Sequence, residues 1–374
     1  MTSQIKELTG VDFPLFAFSH CRDVVAAVSR AGGFGVLGAS GSTPEALEAE
    51  LEWIVRHTDG KPFGVDVLIP ENYAFSTRLS VDELVERIPA RHRDFTIDLL
   101  GSHGVALDAD AAVDRGPQSL SPEYGGQLLE VAFRYPIRLI ANALGIAPPI
   151  MLEMGKAHGV PVAALVGSKD HAVRQVEAGV DIIVAQGGEA GGHCGEVSTL
   201  VLVPEVVRAT RAIRDVPVLA AGGIMTGEQM AGCMAMGAAG AWTGSIWLAT
   251  VEAETSEAIR DRLVAASSRD TVRSKARTGK YSRQLRSAWH DAWEGQDSPG
   301  ALPMPLMNML SRPAFAAIER EAAKNNPEAR KLVSYFVGQG VGLIDEVRGS
   351  ASVVQQFKEE FAGAVEALLG AVGD

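Results

Sequence analysis

Short apolar runs alternating with segments of helical spacing constrain this 374-residue chain more than any other feature. Eight runs stand out: Phe13 to Ser19, Phe34 to Ser40, Phe63 to Pro70, Ile137 to Leu144, Val160 to Gly167, Asp181 to Gln186, Val216 to Ala221 and Gly240 to Trp247. Between most of them lie helix-like stretches, Arg22 to Ala31, Thr43 to His57, Pro148 to His158, Lys169 to Ala178 and Pro204 to Arg214. Several of these end in glycine just ahead of the next strand, at Gly32-Gly33, Gly159, Gly179 and Gly237, where a left-handed C-cap closes a helix. Strands apolar at nearly every position are buried on both faces, so the sheet is parallel with helices outside it. Eight such units favour a closed α/β architecture, the (β/α)8 TIM barrel, over an open sheet.

Two interruptions fill out the length, which exceeds an ordinary barrel by roughly a hundred residues. The first, about residues 71–135, includes helix-like Val81 to Ile88 and Asp94 to His103, then a proline- and glycine-bearing stretch from Arg115 to Gly126. The second follows strand eight. The expected organisation is a barrel over residues 1–251, a mostly helical lid subdomain over 252–330, and helices over 331–374 that pack back on the barrel. A net charge of −12 argues against nucleic acid and anionic membranes as general partners. No apolar run approaches the ~18 residues of a membrane span, and Met1 to Gly10 lacks a signal-peptide layout, so a cytoplasmic location is expected. Cys21, Cys194 and Cys233 share no metal-type spacing and read as free thiols, with no metal expected.

Chemistry concentrates after the sixth strand, in Gln186-Gly187-Gly188-Glu189-Ala190-Gly191-Gly192-His193. Backbone that bare touches a ligand, and a histidine at the carboxyl end of a strand can exchange a proton with it, since an unperturbed pKa of about 6.5 allows both forms. The plainer reading is a hydrogen-bonded loop histidine. Gly222-Gly223-Ile224 and Thr243-Gly244-Ser245 follow strands seven and eight, where barrels offer backbone N–H groups to a phosphate. Gly33-Phe34-Gly35-Val36-Leu37-Gly38 satisfies a dinucleotide fingerprint, but a helix precedes it and a strand runs through it, the reverse of the required context.

These residues resemble the nitronate monooxygenases, formerly 2-nitropropane dioxygenases, and their relatives the flavin-dependent enoyl thioester reductases. The resemblance is carried by Phe13-Pro14-Leu15, Ala31 to Gly35, Gly64-Val65-Asp66, Gln186 to Gly195, Ala221 to Ile224 and Gly338-Gln339-Gly340. It implies FMN as cofactor, with Gln186, Gly191, Gly223, Gly244 and Ser245 against it and His193 as catalytic base. Ala17, Phe18, Ser19, Asp66, Ser168, Gly192, Gly222 and Thr243 complete the candidate cofactor lining. It also implies oxidation of nitronates or nitroalkanes with dioxygen to carbonyl compounds and nitrite. Alternatives are an NAD(P)H-dependent reductase of enoyl- or other acyl-CoA thioesters and a flavin-free phosphate-binding lyase or isomerase.

The chain departs from the family where a first strand ending Ala-Pro-Met is common: it has Ala17-Phe18-Ser19, then His20 and Cys21. Asp66 stands where asparagine is common, and a carboxylate can accept from a flavin N–H but cannot donate as an amide does. His20, Lys280 and Tyr281 are candidate substrate residues. The cluster Arg273, Lys275, Arg277, Lys280, Arg283 and Arg286 reads either as solvated surface or as a site for an anionic substrate such as a CoA thioester. No oligomeric state follows from the sequence.

Overall fold

The computed structural model describes residues 2–69, 79–115 and 122–372. Among these residues eleven strands run in chain order: β1 (Leu15–Ser19), β2 (Phe34–Gly38), β3 (Phe63–Asp66), β4 (Ile140–Asn142), β5 (Val162–Val166), β6 (Ile182–Gln186), β7 (Gly192–His193), β8 (Val218–Ala221), β9 (Gly240–Thr243), β10 (Thr271–Ser274) and β11 (Ser282–Leu285). Strands β1 to β6, β8 and β9 close into a parallel barrel in sequence order. All eight expected strands are present and shorter than their apolar runs, because residues such as Ser40 and Leu144 continue past the ladder into loops. Of the dinucleotide-like glycines, Gly35 and Gly38 fall on β2 and Gly33 immediately precedes it, as their context required.

Closure rests on β9 lying against β1, with Ala17 beside Thr243. Gly240 makes this contact possible, since a Cβ there would lie 2.3 Å from the Pro14 carbonyl oxygen. Inside the barrel, Phe16, Phe34, Val36, Ile182, Val184, Leu219 and Trp242 form a core that Ile5 of the helix Thr2–Thr9 joins. Outward-facing Leu15, Leu37, Val65 and Ile183 pack on the helix layer, which includes Val353, Val354 and Phe357 of the last helix, Ser350–Val372. That helix crosses close over Gly227, where a Cβ would meet the Phe357 carbonyl at 2.2 Å.

Helix boundaries follow the sequence except in two cases: the helix expected from Asp94 begins at Ala90, and the other involves a proline. Pro204 marked an expected start, yet the helix runs Thr199–Arg211 with the proline inside it. Lys169–Ala178 and Pro149–His158 end on left-handed Gly179 and Gly159 as expected.

The two interruptions meet. Leu84, Val85, Ile88 and Val113 of the first pack with Leu306, Met309 and Leu310 of the second. Leu100 and Val105 join a larger core built on Trp289, Trp293, Met307 and Phe315. Residues 116–121 of the expected Arg115 to Gly126 stretch, and residues 70–78, lie outside the described residues. The segment after strand eight is largely helical (Glu257–Ala265, Ala288–Trp293, Leu306–Ala322), but it also carries the β10–β11 hairpin, which the sequence reading missed. That hairpin joins β7 in a three-stranded antiparallel sheet.

Buried His290 ties the hairpin to the following helix: Nδ1 accepts from the Ser287 amide at 3.2 Å, and Nε2 lies 3.2 Å from Gln284 Oε1. Burial, reinforced by the Arg277 charge, pushes its pKa down to about 3. The folded form therefore resists a proton that the unfolded chain takes near 6.5. Stability is intact above that pH and falls as pH drops toward 3. Thermal melting followed from pH 7.5 to 4 is expected to show a steep fall in Tm, shallower in His290→Gln; identical slopes would contradict this assignment.

Candidate active site

Every barrel strand ends at the same rim, and most of the sequence-predicted residues gather there. His20 follows β1, Asp66 ends β3, Ser168 follows β5, Gln186 ends β6, Gly222-Gly223 follow β8 and Gly244-Ser245 follow β9. The glycine segment after β6 is held from three sides. Arg283, only 9% exposed, donates Nε and Nη2 to the Gly188 carbonyl at 2.9 and 2.8 Å. Glu189 Oε2 accepts from the Thr199 amide and hydroxyl, each at 2.9 Å, and the Glu189 carbonyl accepts from the Gln339 amide at 2.8 Å. Gly191 lies flat on the Val337–Gly338 backbone, where a Cβ would approach within 2.8 Å, so its bareness serves packing.

His193 is carried on β7, which pairs antiparallel with β11 through Ser282 opposite His193 and Arg283 opposite Gly192. Its Nε2 lies 2.9 Å from Thr278 Oγ1. The Thr278 hydroxyl donates to the Lys280 carbonyl at 3.0 Å, so its oxygen is left to accept from His193 Nε2–H. On that network Nδ1 carries the lone pair. Burial is the main cause, and the Lys280 charge the second, of a pKa lowered to about 4. The imidazole is thus neutral throughout the neutral range, in place of the half-protonated group that an ordinary pKa would give.

The rim also has the shape of a cofactor cradle. Gly222 and Gly223 have φ of +103° and +73°, a conformation glycine favours, while a Cβ on Gly244 would meet nothing within 4 Å. Gly192, with φ +72°, likewise borders open space. Asp66 is 2% exposed, and its Oδ1 has no hydrogen-bond partner. Burial raises its pKa to about 7. A buried carboxyl oxygen without a partner, beside a strip of bare backbone, fits a planar ligand bearing N–H groups and a phosphate.

Other expected residues are committed elsewhere. Ala17 is buried in the outer core. Thr243 Oγ1 donates to the Phe16 carbonyl and accepts from Trp247 Nε1, both at 3.0 Å, and Ser19 Oγ accepts from the Cys21 amide. Ser168 caps the helix Lys169–Ala178 through the His171 amide, and Ser245 Oγ accepts from the Gly338 amide at 2.9 Å. Lys280 and Tyr281 are exposed on the hairpin turn. The basic cluster divides: Arg283 is internal, and the Arg277 guanidinium is enclosed by Phe315, Tyr335 and Phe336, with its pKa lowered to about 10 by burial. Arg286 pairs with Asp291, and Arg273 reaches Glu196. Thr278, the partner of His193, had no signal beyond its place in the cluster.

The model of the family described as nitronate monooxygenase matches residues 4–360. The chain belongs to the nitronate monooxygenase family. A Mycobacterium tuberculosis protein named "Putative monooxygenase Rv1533" is 50% identical, with all of both chains covered. A Staphylococcus aureus protein named "Probable nitronate monooxygenase" is 27% identical over 91% of this chain and 92% of its own. Among solved structures, a nitroalkane oxidase from Streptomyces ansochromogenes superposes with a TM-score of 0.80 at 25% identity, covering 98% of this chain and all of that one. FabK from Thermotoga maritima gives 0.68 at 25% identity, with 98% of each chain covered. As a member of this nitronate monooxygenase family the chain is a flavin-dependent oxidoreductase. No described helix is long and apolar enough to cross a membrane.

The His193 environment is open to direct measurement. An NMR titration of the histidine Cε1–H signals, with His193 assigned by its absence from His193→Asn, is expected to place its midpoint near 4. A midpoint between 6 and 7 would mean the ring is solvated as ordinary histidines are.

Proposed function

We infer that this enzyme is an FMN-dependent nitronate monooxygenase that oxidises nitronates and nitroalkanes with dioxygen to carbonyl compounds and nitrite. The observation that carries this reading is His193, a neutral imidazole held by Thr278 beside the bare-backbone rim. Gly222-Gly223 and Gly244-Ser245 would hold the FMN phosphate through backbone N–H groups, and Asp66 would accept from a ring N–H. Bound flavin supplies the electron transfer that joins substrate oxidation to dioxygen.

The protein's own part is the proton step. The nitroalkane C–H bond breaks, its electron pair moves into the nitro group, and the proton goes to His193 Nδ1, leaving an imidazolium beside a nitronate. The nitronate's negative charge stabilises the imidazolium, which burial alone disfavours. Lys280, whose charge already lowers the His193 pKa, favours the anion. Thr278 keeps Nε2–H occupied, so Nδ1 is the base. The thioester-reductase alternative relied on the basic lid for CoA phosphates, and internal burial of Arg277 and Arg283 removes two of those cations from the surface.

Gly244→Asp tests the cradle. With φ −131° and no neighbour within 4 Å, the site accommodates the side chain, while its carboxylate repels a phosphate. Purified Gly244→Asp is expected to retain the apoprotein Tm and lose more than about tenfold in FMN affinity; full flavin content would place the phosphate elsewhere. Gly223→Asp is a poorer probe, because its positive φ and the Glu189 Cβ at 3.1 Å would strain the fold itself.

Substrate pairs isolate the base. For His193→Asn, nitroalkane turnover is expected to fall by roughly 10² to 10⁴ and preformed-nitronate turnover far less. The wild-type acid limb of kcat/KM for nitroalkane is expected near 4, since the free enzyme sets it, and to vanish in the variant. Equal losses on both substrates would assign His193 to positioning.

A further inference from the structure

His20 stands one residue past β1, on the same rim as His193. Its Nδ1 lies 2.8 Å from the Gly38 carbonyl oxygen. A carbonyl can only accept, so Nδ1 carries the ring proton and Nε2 keeps its lone pair. Phe18 supports the ring edge-on, with centroids 5.1 Å apart at 80°. Both rings lie across Gly38, where a Cβ would meet His20 Nδ1 and Cε1 and Phe18 Cζ, each at 2.7 Å. The glycine makes room for this placement.

The ring is anchored on one side and open on the other. His20 is exposed at its surface, yet burial among surrounding protein is the leading cause lowering its pKa, ahead of the opposing Gly38 bond. Its place one residue past β1 puts it at the rim of the barrel. Among the described residues Nε2 has no hydrogen-bond partner, and the residue as a whole is exposed. Asp66, opposite Gly38 in the strand register, borders the same part of the rim. A lone pair in such a place is satisfied by a ligand donor and left unpaired beneath a methyl group.

We propose that His20 is a specificity-determining residue that accepts a hydrogen bond from substrate through Nε2, so that nitroalkanes bearing a hydroxyl or N–H donor are preferred over alkyl isosteres. The choice of nitroalkanes rests on the function inferred above; the acceptor role of His20 does not.

Two amide variants separate the ring nitrogens. An asparagine amide reaches the place of Nδ1, keeping the Gly38 bond without the outer acceptor, whereas a glutamine amide reaches the place of Nε2. Dissociation constants for 2-nitroethanol against 1-nitropropane, and 3-nitropropan-1-ol against 1-nitrobutane, are read anaerobically from perturbation of the flavin spectrum of the holoenzyme. Turnover of the same compounds is followed separately. The wild type is expected to prefer the better-placed hydroxyl compound roughly tenfold. His20→Asn is expected to lose the preference with unchanged binding of the alkyl member, and His20→Gln to keep most of it. An equal preference in wild type and His20→Asn, or none in wild type, overturns the proposal. Selective ¹⁵N-histidine labelling supplies a readout free of both ligand and variant: protonated Nδ1 with bare Nε2 is expected at neutral pH, and the opposite tautomer overturns the assignment. Absence of turnover on all four compounds with the binding preference intact would refute the nitroalkane reading and leave His20 as the acceptor for another donor-bearing substrate.

Discussion

Pairing of β7 with β11, sealed by Arg283 on the Gly188 carbonyl, is the constraint on which the site depends. The segment from Gly187 to His193 has too little side chain to order itself, and glycine carries the highest backbone entropy of any residue. A charged donor used twice on one carbonyl, each bond worth about 1.5 to 3 kcal/mol, offsets much of that cost. The Gln339 amide and the Val337–Gly338 backbone close the other side. The barrel thus supplies the rim, and the chain beyond it supplies the rigidity.

A common electrostatic theme follows. His193, His20 and His290 all lie where burial disfavours the cation, and each is bonded, His193 and His20 through one ring nitrogen and His290 through both, to groups that select its tautomer or orientation. Arg277 and Arg283 keep internal partners in the same body. In a protein of net charge −12 the cations that matter most are therefore inside. Their work is to hold backbone and aromatic faces, while exposed Lys280 acts on His193 through its charge.

The barrel was legible because its signals are local: apolar runs of strand length, glycine C-caps, and bare backbone after β6, β8 and β9. The place of His193 after β6 was legible for the same reason, as was the dinucleotide decoy. The hairpin was not. Thr271–Ser274 and Ser282–Leu285 each hold one aliphatic residue, and their stability comes from partners distant in sequence. Arg277 and Arg283 looked like surface charge because no residue nearby announces the carbonyls and rings that receive them. Pro204 misled the reading since a proline suits a first turn better than a helix interior, and tertiary packing overrode that preference. The side chains of Ala17 and Thr243 are buried in packing and hydrogen bonds of the barrel wall, a detail that periodicity cannot resolve when both faces of a strand are apolar.

The Arg283 to Gly188 bond spans 95 residues, and among the described residues β7 has no strand partner besides β11. During synthesis the chain can lay down all eight barrel strands by Thr243 while His193 still lacks its support. Such long-range contacts are late and slow to form, because loop-closure entropy precedes their reward. Order of translation therefore separates barrel from rim: a nascent barrel exists before the strand that carries His193 has its partner, and the rim is completed only with the hairpin.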